Sequence, residues 1–228
     1  MGAEVCGAAQ TAMGEHLTTV GAEEGYRLWS GEYDRAANPL LAVEMRLLRN
    51  RLGPLAGRRF LDAGAGTGRW MKFAASQGAR AFGVDLSAPM LEAAGGLGSL
   101  VRGDVRRLPF ANGTADLAVC SFVLGYVREA NDALAELARV AQCVVVSDLH
   151  PAAFDAGWTR SFRAKCQVIE IENFRHSLQC PNGFVERWSL DGHFGEPERG
   201  IFEAAGKGHA FESLAAIPAI RAVCWQRE

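Results

Sequence analysis

Three acidic residues and a glycine-rich turn are spaced so that they can hold one ligand. Gly64, Gly66 and Gly68 follow Asp62 closely, Asp85 comes 23 residues after Asp62, and Asp104 comes 19 residues after Asp85. Glycine permits positive φ and close backbone approach, and the helix predicted after the turn offers free N–H groups. A single aspartate is more often a helix cap or turn residue. The joint spacing favours a shared binding site.

The turn also discriminates between ligands. It reads G-x-G-x-G, whereas a dinucleotide fingerprint requires G-x-G-x-x-G. Asp62 would repel a pyrophosphate but attract an ammonium group. Spacing and charge therefore favour S-adenosylmethionine over NAD. In that case Asp85 can accept hydrogen bonds from both ribose hydroxyls, and Asp104 can accept one from the adenine amino group while the Val105 N–H faces a ring nitrogen.

Alternating strands and helices must position these residues. The pattern predicts a helix over residues 40–48, strands over 59–62, 81–84, 99–102, 115–121 and 143–146, and helices over 69–77, from 87 onward, and over 131–140. This order predicts an α/β fold with a parallel sheet, whose ligands bind at the carboxyl ends of the strands. Later strands with antiparallel pairing are expected over residues 165–173, 184–190 and 217–225.

Length and composition limit the number of domains and the kinds of partner that the protein can have. The 228 residues suit one α/β unit, with residues 1–55 as an N-terminal arm and lid and residues 56–228 as the main domain. The net charge of −2 gives no basic surface for nucleic acid. Six scattered cysteines predict neither a metal site nor disulfides, and no apolar run is long enough to span a membrane. We expect a cytoplasmic protein acting on a small molecule; a homodimer stays open.

The segment from Phe60 to Asp148 resembles the core of class I S-adenosylmethionine-dependent methyltransferases. Four motifs match in order: LDAGAGTG at 61–68, GVDLS at 83–87 with Met90, GDV at 103–105 with LPF at 108–110, and DLAVCS at 116–121. Upstream, Tyr33-Asp34 resembles a cofactor-covering pair of the ubiquinone and menaquinone methyltransferase subgroup. The resemblance implies a three-layer α/β sandwich with a seven-stranded sheet of order 3-2-1-4-5-7-6, an antiparallel last strand and an N-terminal helical lid.

The same resemblance implies cofactor contacts for the matching residues: Tyr33, Asp62, Gly64, Ala65, Gly66, Thr67, Gly68, Asp85, Leu86, Met90, Gly103, Asp104, Val105 and Ser121. The chain departs from the family after the fourth strand. Many relatives carry a histidine there, whereas this chain reads FVLGYV at 122–127.

Methyl transfer is an in-line displacement, so positioning alone can supply much of the acceleration. Where a base is useful, His150 is the first candidate, because it follows the fifth strand and should face the crevice; Tyr126 is the second. Both residues also fit ordinary structural roles.

The aromatic residues Trp29, Tyr33, Trp158, Phe162 and Phe174 suggest an apolar or aromatic acceptor, although core packing explains many such residues equally well. Two other functions stay open. One is a non-catalytic methyltransferase-like binding or regulatory subunit. The other is a nicotinamide-dependent oxidoreductase.

Overall fold

A computed structural model describes residues 17–35, 37–164 and 167–228. Its strands are β1 (Leu17–Val20), β2 (Arg59–Ala63), β3 (Arg80–Asp85), β4 (Ser99–Arg102), β5 (Leu117–Ser121), β6 (Cys143–Leu149), β7 (Ser161–Ala164), β8 (Gln167–Ile171), β9 (Phe184–Gly192) and β10 (Ile220–Arg227). Its α-helices are α1 (Ala22–Trp29), α2 (Pro39–Leu48), α3 (Arg69–Ser76), α4 (Ala88–Ala93), α5 (Ala130–Val140), α6 (Pro151–Asp155), α7 (Glu196–Ala204) and α8 (Phe211–Ala215).

Seven strands form the main sheet, in the order β4-β3-β2-β5-β6-β10-β9. The pairs from β4 to β6 are parallel, and β10 is antiparallel to both of its neighbours. Numbered within this sheet, the order is 3-2-1-4-5-7-6. The predicted fold class and strand order are therefore confirmed.

The buried strand β6 shows why this sheet needs helices on both faces. All seven of its residues are buried. Val144 and Val146 pack in one apolar cluster with Leu134 and Leu137 of α5, while Val145 packs in another cluster with Trp70 of α3. Side chains alternate between the faces of a strand, so a strand covered on both faces reads as a continuous apolar run.

Local signals start the helices where the sequence predicts them. The Asn38 side chain accepts a hydrogen bond from the Leu40 N–H at 2.9 Å and caps α2, with Pro39 in the first turn. Both features are typical of helix starts. The N-terminal boundary at residue 56 stays a prediction, although Val43 and Leu48 of α2 are buried in apolar clusters that include residues of the main sheet.

A second sheet differs from the sequence prediction. The predicted strand over residues 165–173 is present as β8 from Gln167 onward, with residues 165–166 outside the described part. It lies between β1, to which it is parallel, and β7, to which it is antiparallel, rather than in the main sheet. A Cβ atom on Gly25 would lie 2.7 Å from Ile171 Cγ1, so a glycine lets α1 pack closely on β8. This small sheet and α1 form the lid.

Within the described ranges, no helix is long and apolar enough to cross a lipid bilayer. Nor do His, Cys, Asp and Glu side chains of those ranges gather into a group that could hold a metal ion.

Candidate functional site

One cavity of about 420 Å³ opens at the carboxyl ends of β2 to β5. The lid covers it through Tyr26 of α1 and through Glu172 and Phe174, which follow β8. Of the residues predicted to contact the cofactor, the cavity lining contains Tyr33, Asp62, Gly64, Ala65, Gly66, Thr67, Asp85, Leu86, Met90, Gly103, Asp104, Val105 and Ser121. Gly68 is the exception: it lies at the N-cap of α3 with φ +80°.

The glycine turn lets the backbone approach this cavity. Gly64 has φ +80°, and a Cβ atom on it would lie 2.1 Å from Val123 Cγ2. The N–H groups of Gly64 and Ala65 donate to the Val84 carbonyl at 2.8 and 2.9 Å, which holds the turn against β3. A side chain at position 64 would therefore clash as well as adopt an unfavourable φ.

Asp85 connects the turn to the next strand. Its carboxylate oxygens accept hydrogen bonds from the Gly66 and Ser87 N–H groups, each at 2.8 Å. Burial raises the pKa of Asp85, and these backbone hydrogen bonds oppose that effect. Each carboxylate oxygen can accept more than one hydrogen bond, so both retain capacity for a diol.

Asp62 is the buried acid of the site. It accepts a hydrogen bond from the Met71 N–H at 3.2 Å, and only 2% of its surface is exposed. Burial raises the pKa of Asp62 to about 7, while the charge of Arg69 acts in the opposite direction. A cationic group beside Asp62 would compensate its buried charge.

Asp104 reaches the cavity with its carboxylate already paired. Arg106 Nη2 lies 2.7 Å from Asp104 Oδ2, and Arg106 Nη1 lies 2.9 Å from Glu129 Oε2. The hydrogen bonds from Arg106 lower the pKa of Asp104. An adenine amino group at Asp104 would have to share the carboxylate with this arginine.

Three tyrosines meet on the lid side of the cavity. The Tyr26 ring lies 6.0 Å from Tyr33 and 5.3 Å from Tyr126, between ring centroids. A smaller cavity of about 40 Å³ is also lined by all three tyrosines. Burial raises the pKa of Tyr26 and of Tyr33, so both phenols are neutral at physiological pH. The three rings form an aromatic chamber, and Arg160 also lines the smaller cavity.

The aromatic residues singled out in the sequence divide between this site and the core. Tyr33 and Phe174 line the cavity. Trp29 stacks on Phe162 with centroids 4.9 Å apart, and Trp158 stacks on Phe194 in another apolar cluster. Packing thus accounts for Trp158 and Phe162, whereas Trp29 packs against Phe162 and also lines the smaller cavity.

A buried ion pair that the sequence prediction missed supports the chamber. Arg160 pairs with Asp148 and donates to the Phe122 carbonyl at 2.9 Å, and Asp148 accepts from the Gly125 N–H at 2.6 Å. Phe122 has φ +54°, the only positive φ outside glycine among the described residues. The Arg160 guanidinium also lies 4.6 Å from the Tyr126 ring centre. The pair therefore fixes the segment that carries Tyr126.

The structure does not bring His150 into the cavity, contrary to the expectation for the first catalytic candidate. Its Nδ1 accepts from the Ala152 N–H at 3.0 Å and caps α6, while its Nε2 lies 3.2 Å from Asp191 of β9. Burial lowers the pKa of His150. His150 follows β6, which is the fifth strand of the main sheet along the chain, as predicted. These contacts, however, turn its ring away from the cavity. Tyr126 does line the cavity.

Other cavity residues were missed because no pattern singles them out. Tyr26 lies on a short helix without a motif. Arg69 directly follows the glycine turn, so its adjacency to Gly68 was the available signal. Asp34 also gains a role: it accepts from the Thr67 hydroxyl at 3.0 Å and connects the Tyr33-Asp34 segment to the turn.

Residues 61–143 match a family model described as a methyltransferase domain. A demethylmenaquinone methyltransferase of Corynebacterium kroppenstedtii is 40% identical over 93 residues, which cover 40% of this chain and 41% of that protein. Over residues 61–143 this chain is therefore similar to a methyltransferase domain. It spans less than half the length of the curated relatives it matches.

Solved structures show the same fold. An S-adenosylmethionine-dependent methyltransferase from Mesorhizobium loti superposes with a TM-score of 0.59 at 21% identity, covering 81% of this chain and 98% of that one. The [4+2]-cyclase SpnF reaches the same TM-score at 15% identity, covering 95% and 99%. The predicted family, and S-adenosylmethionine as the cofactor of that family, are confirmed. The cyclase shows that the fold alone does not fix the reaction.

Proposed function

We propose that this protein transfers a methyl group from S-adenosylmethionine to an oxygen, nitrogen or carbon nucleophile of a small apolar or aromatic molecule. The observation that carries the proposal is the convergence of Asp62, the glycine turn and Asp85 in one cavity beneath a tyrosine-lined lid. When bound, S-adenosylmethionine supplies an electrophilic methyl group on a sulfonium.

The residues present fit that cofactor. Gly64 and Gly66 allow close backbone approach, and Asp85 retains acceptor capacity for the ribose diol. Asp62 is a buried carboxyl group on which the charge of Arg69 acts, and it would take the ammonium group. The turn and Asp85 are tied together by the Gly66 N–H hydrogen bond, so the two binding elements are positioned before a ligand arrives.

The acceptor side follows from the chamber. Tyr26, Tyr33, Tyr126 and Phe122 present aromatic surface, which suits an apolar or aromatic ring. Tyr126 would orient the acceptor by a hydrogen bond, held in place by Arg160. The demethylmenaquinone methyltransferase named above supports an apolar ring as the acceptor class, since its own name refers to a quinone.

Calorimetry with S-adenosylhomocysteine and, separately, NAD tests the cofactor assignment. We expect S-adenosylhomocysteine to bind and NAD to bind weakly or not at all; the reverse would favour the oxidoreductase. Incubation with S-adenosylmethionine and a panel of quinols, phenols and aromatic amines, followed by mass spectrometry for a product heavier by one methylene, tests transfer. Binding without any transfer would favour the non-catalytic alternative.

A further inference from the structure

Arg69 lines the cavity together with Asp62, and not all of its hydrogen-bond donors are used. Its Nη2 donates to Ser121 Oγ at 2.9 Å and to the Glu44 carboxylate. Its Nη1 is buried and has no hydrogen-bond partner among the described residues. A buried N–H group without an acceptor is uncommon in folded proteins, and a ligand is one ordinary source of the missing acceptor.

Glu44 holds the Arg69 guanidinium in place. Glu44 has no exposed surface and accepts a hydrogen bond from the Ser147 hydroxyl of β6 as well as from Arg69. A buried carboxylate needs such partners, because its desolvation is otherwise uncompensated. The guanidinium is therefore restrained through Nη2, while Nη1 has no acceptor among the described residues.

We propose that Arg69, restrained by Glu44, binds the carboxylate of the amino-acid end of the cofactor, while Asp62 binds the ammonium group. The inference rests on the proposed function. A zwitterion carries one charge of each sign, and Asp62 and Arg69 supply the two opposite charges at the same end of the cavity. Hydrogen bonds between a guanidinium and a carboxylate are charge-assisted and among the stronger ones in proteins.

Two ligands that differ only in the carboxylate isolate its contribution to binding. S-adenosylhomocysteine carries it, and S-adenosyl-3-thiopropylamine lacks only that group while keeping the ammonium. By calorimetry, we expect the wild-type protein to bind S-adenosylhomocysteine about tenfold to a hundredfold more tightly than the amine. In the double variant Arg69→Met/Glu44→Gln, the ratio should fall close to one.

The double variant avoids leaving Glu44 as an unpaired buried charge. If it does not fold, Arg69→Lys keeps a cation beside Glu44 but loses the planar fork, and it should reduce the same ratio severalfold. The matched control is Arg46→Met/Glu198→Gln. Arg46 and Glu198 form a similar pair at 2.8 Å, with side-chain exposures of 33% and 2%, against 26% and 0% for Arg69 and Glu44. Neither residue of the control pair lines the cavity, so the ligand ratio should not change.

The outcomes are distinguishable. A wild-type protein that does not bind S-adenosylhomocysteine overturns the proposed function. A wild-type protein that binds both ligands equally overturns only the assignment of Arg69. The assignment is also overturned if the Arg69 variants keep the wild-type ratio of the two affinities. An equal loss of affinity for both ligands in these variants would indicate a purely structural role and would overturn it as well.

Discussion

The charge of Asp62 should make cofactor binding depend on pH. Burial raises its pKa from 3.8 to about 7, so the carboxyl group of the free protein is close to half protonated at neutral pH. A ligand ammonium beside it favours the ionised form. Binding must therefore release a proton from every molecule in which Asp62 is protonated beforehand.

The size of the effect follows from the ionised fraction. For a pKa of about 7, roughly one tenth of Asp62 is ionised at pH 6 and roughly nine tenths at pH 8. If only the ionised form binds the ammonium well, affinity for S-adenosylhomocysteine rises about tenfold between these pH values, which is about 1.4 kcal/mol.

Calorimetry in two buffers of different ionisation enthalpy measures both the affinity and the protons released. We expect release of about half a proton per site at pH 7. Asp62→Asn keeps an acceptor for the Met71 N–H but cannot titrate, so it should bind more weakly and with a flat pH profile. An equal tenfold rise in Asp62→Asn, or no proton release by the wild type, would refute the reasoning.

The same pKa affects the stability of the ligand-free protein with a definite sign. The pKa of Asp62 is higher in the folded state than in the unfolded state, so its contribution to stability is complete below about pH 4 and is lost as pH rises through 7. The rise of this pKa from 3.8 to about 7 corresponds to about 4 kcal/mol. Asp62→Asn should therefore raise the free energy of unfolding at pH 8, by at most this amount, in urea denaturation. A less stable variant would contradict the assignment of a buried, costly charge.

Four further substitutions test the site and the residues around it. Asp85→Ala should weaken S-adenosylhomocysteine binding by about 1 to 3 kcal/mol in calorimetry, because hydrogen bonds to the ribose are lost; unchanged affinity would place the ribose elsewhere. Arg160→Met should lower the free energy of unfolding by about 3 to 5 kcal/mol, because it leaves Asp148 buried without its partner. Adding Asp148→Asn to the same chain should recover most of that loss. Tyr126→Phe should instead lower turnover with little loss of stability or of cofactor affinity. His150→Ala should lower the free energy of unfolding by about 1 kcal/mol, because the helix cap is lost, and should leave turnover unchanged. A large fall in turnover would indicate that His150 takes part in catalysis.

Much of the cofactor side could be predicted from the sequence, since its residues follow their strands directly. A strand, a glycine turn and a helix start are decided by neighbours a few positions apart, and Asp62, Gly64 and Asp85 lie within such local patterns. The parallel order of the sheet then brings strand ends together at one edge. The cavity contains nearly all of the predicted residues for this reason.

The acceptor side and the Arg69 pair beside Asp62 depend on contacts between distant parts of the chain. Arg160 reaches Phe122 and Asp148, and Glu44 reaches Arg69 and Ser147, from segments that no periodicity connects.

The ring of His150 shows the same limit. The sequence correctly places His150 after β6, the fifth strand of the main sheet along the chain. Asp191 of β9 and the start of α6 decide where its ring points. Local sequence sets backbone conformation, whereas side-chain direction and long-range pairing are decided by which surfaces can be buried together. The sequence by itself therefore determined the main sheet and the cofactor turn, and the tertiary structure decided the second sheet, the tyrosine chamber, its ion pair and the direction of the His150 ring.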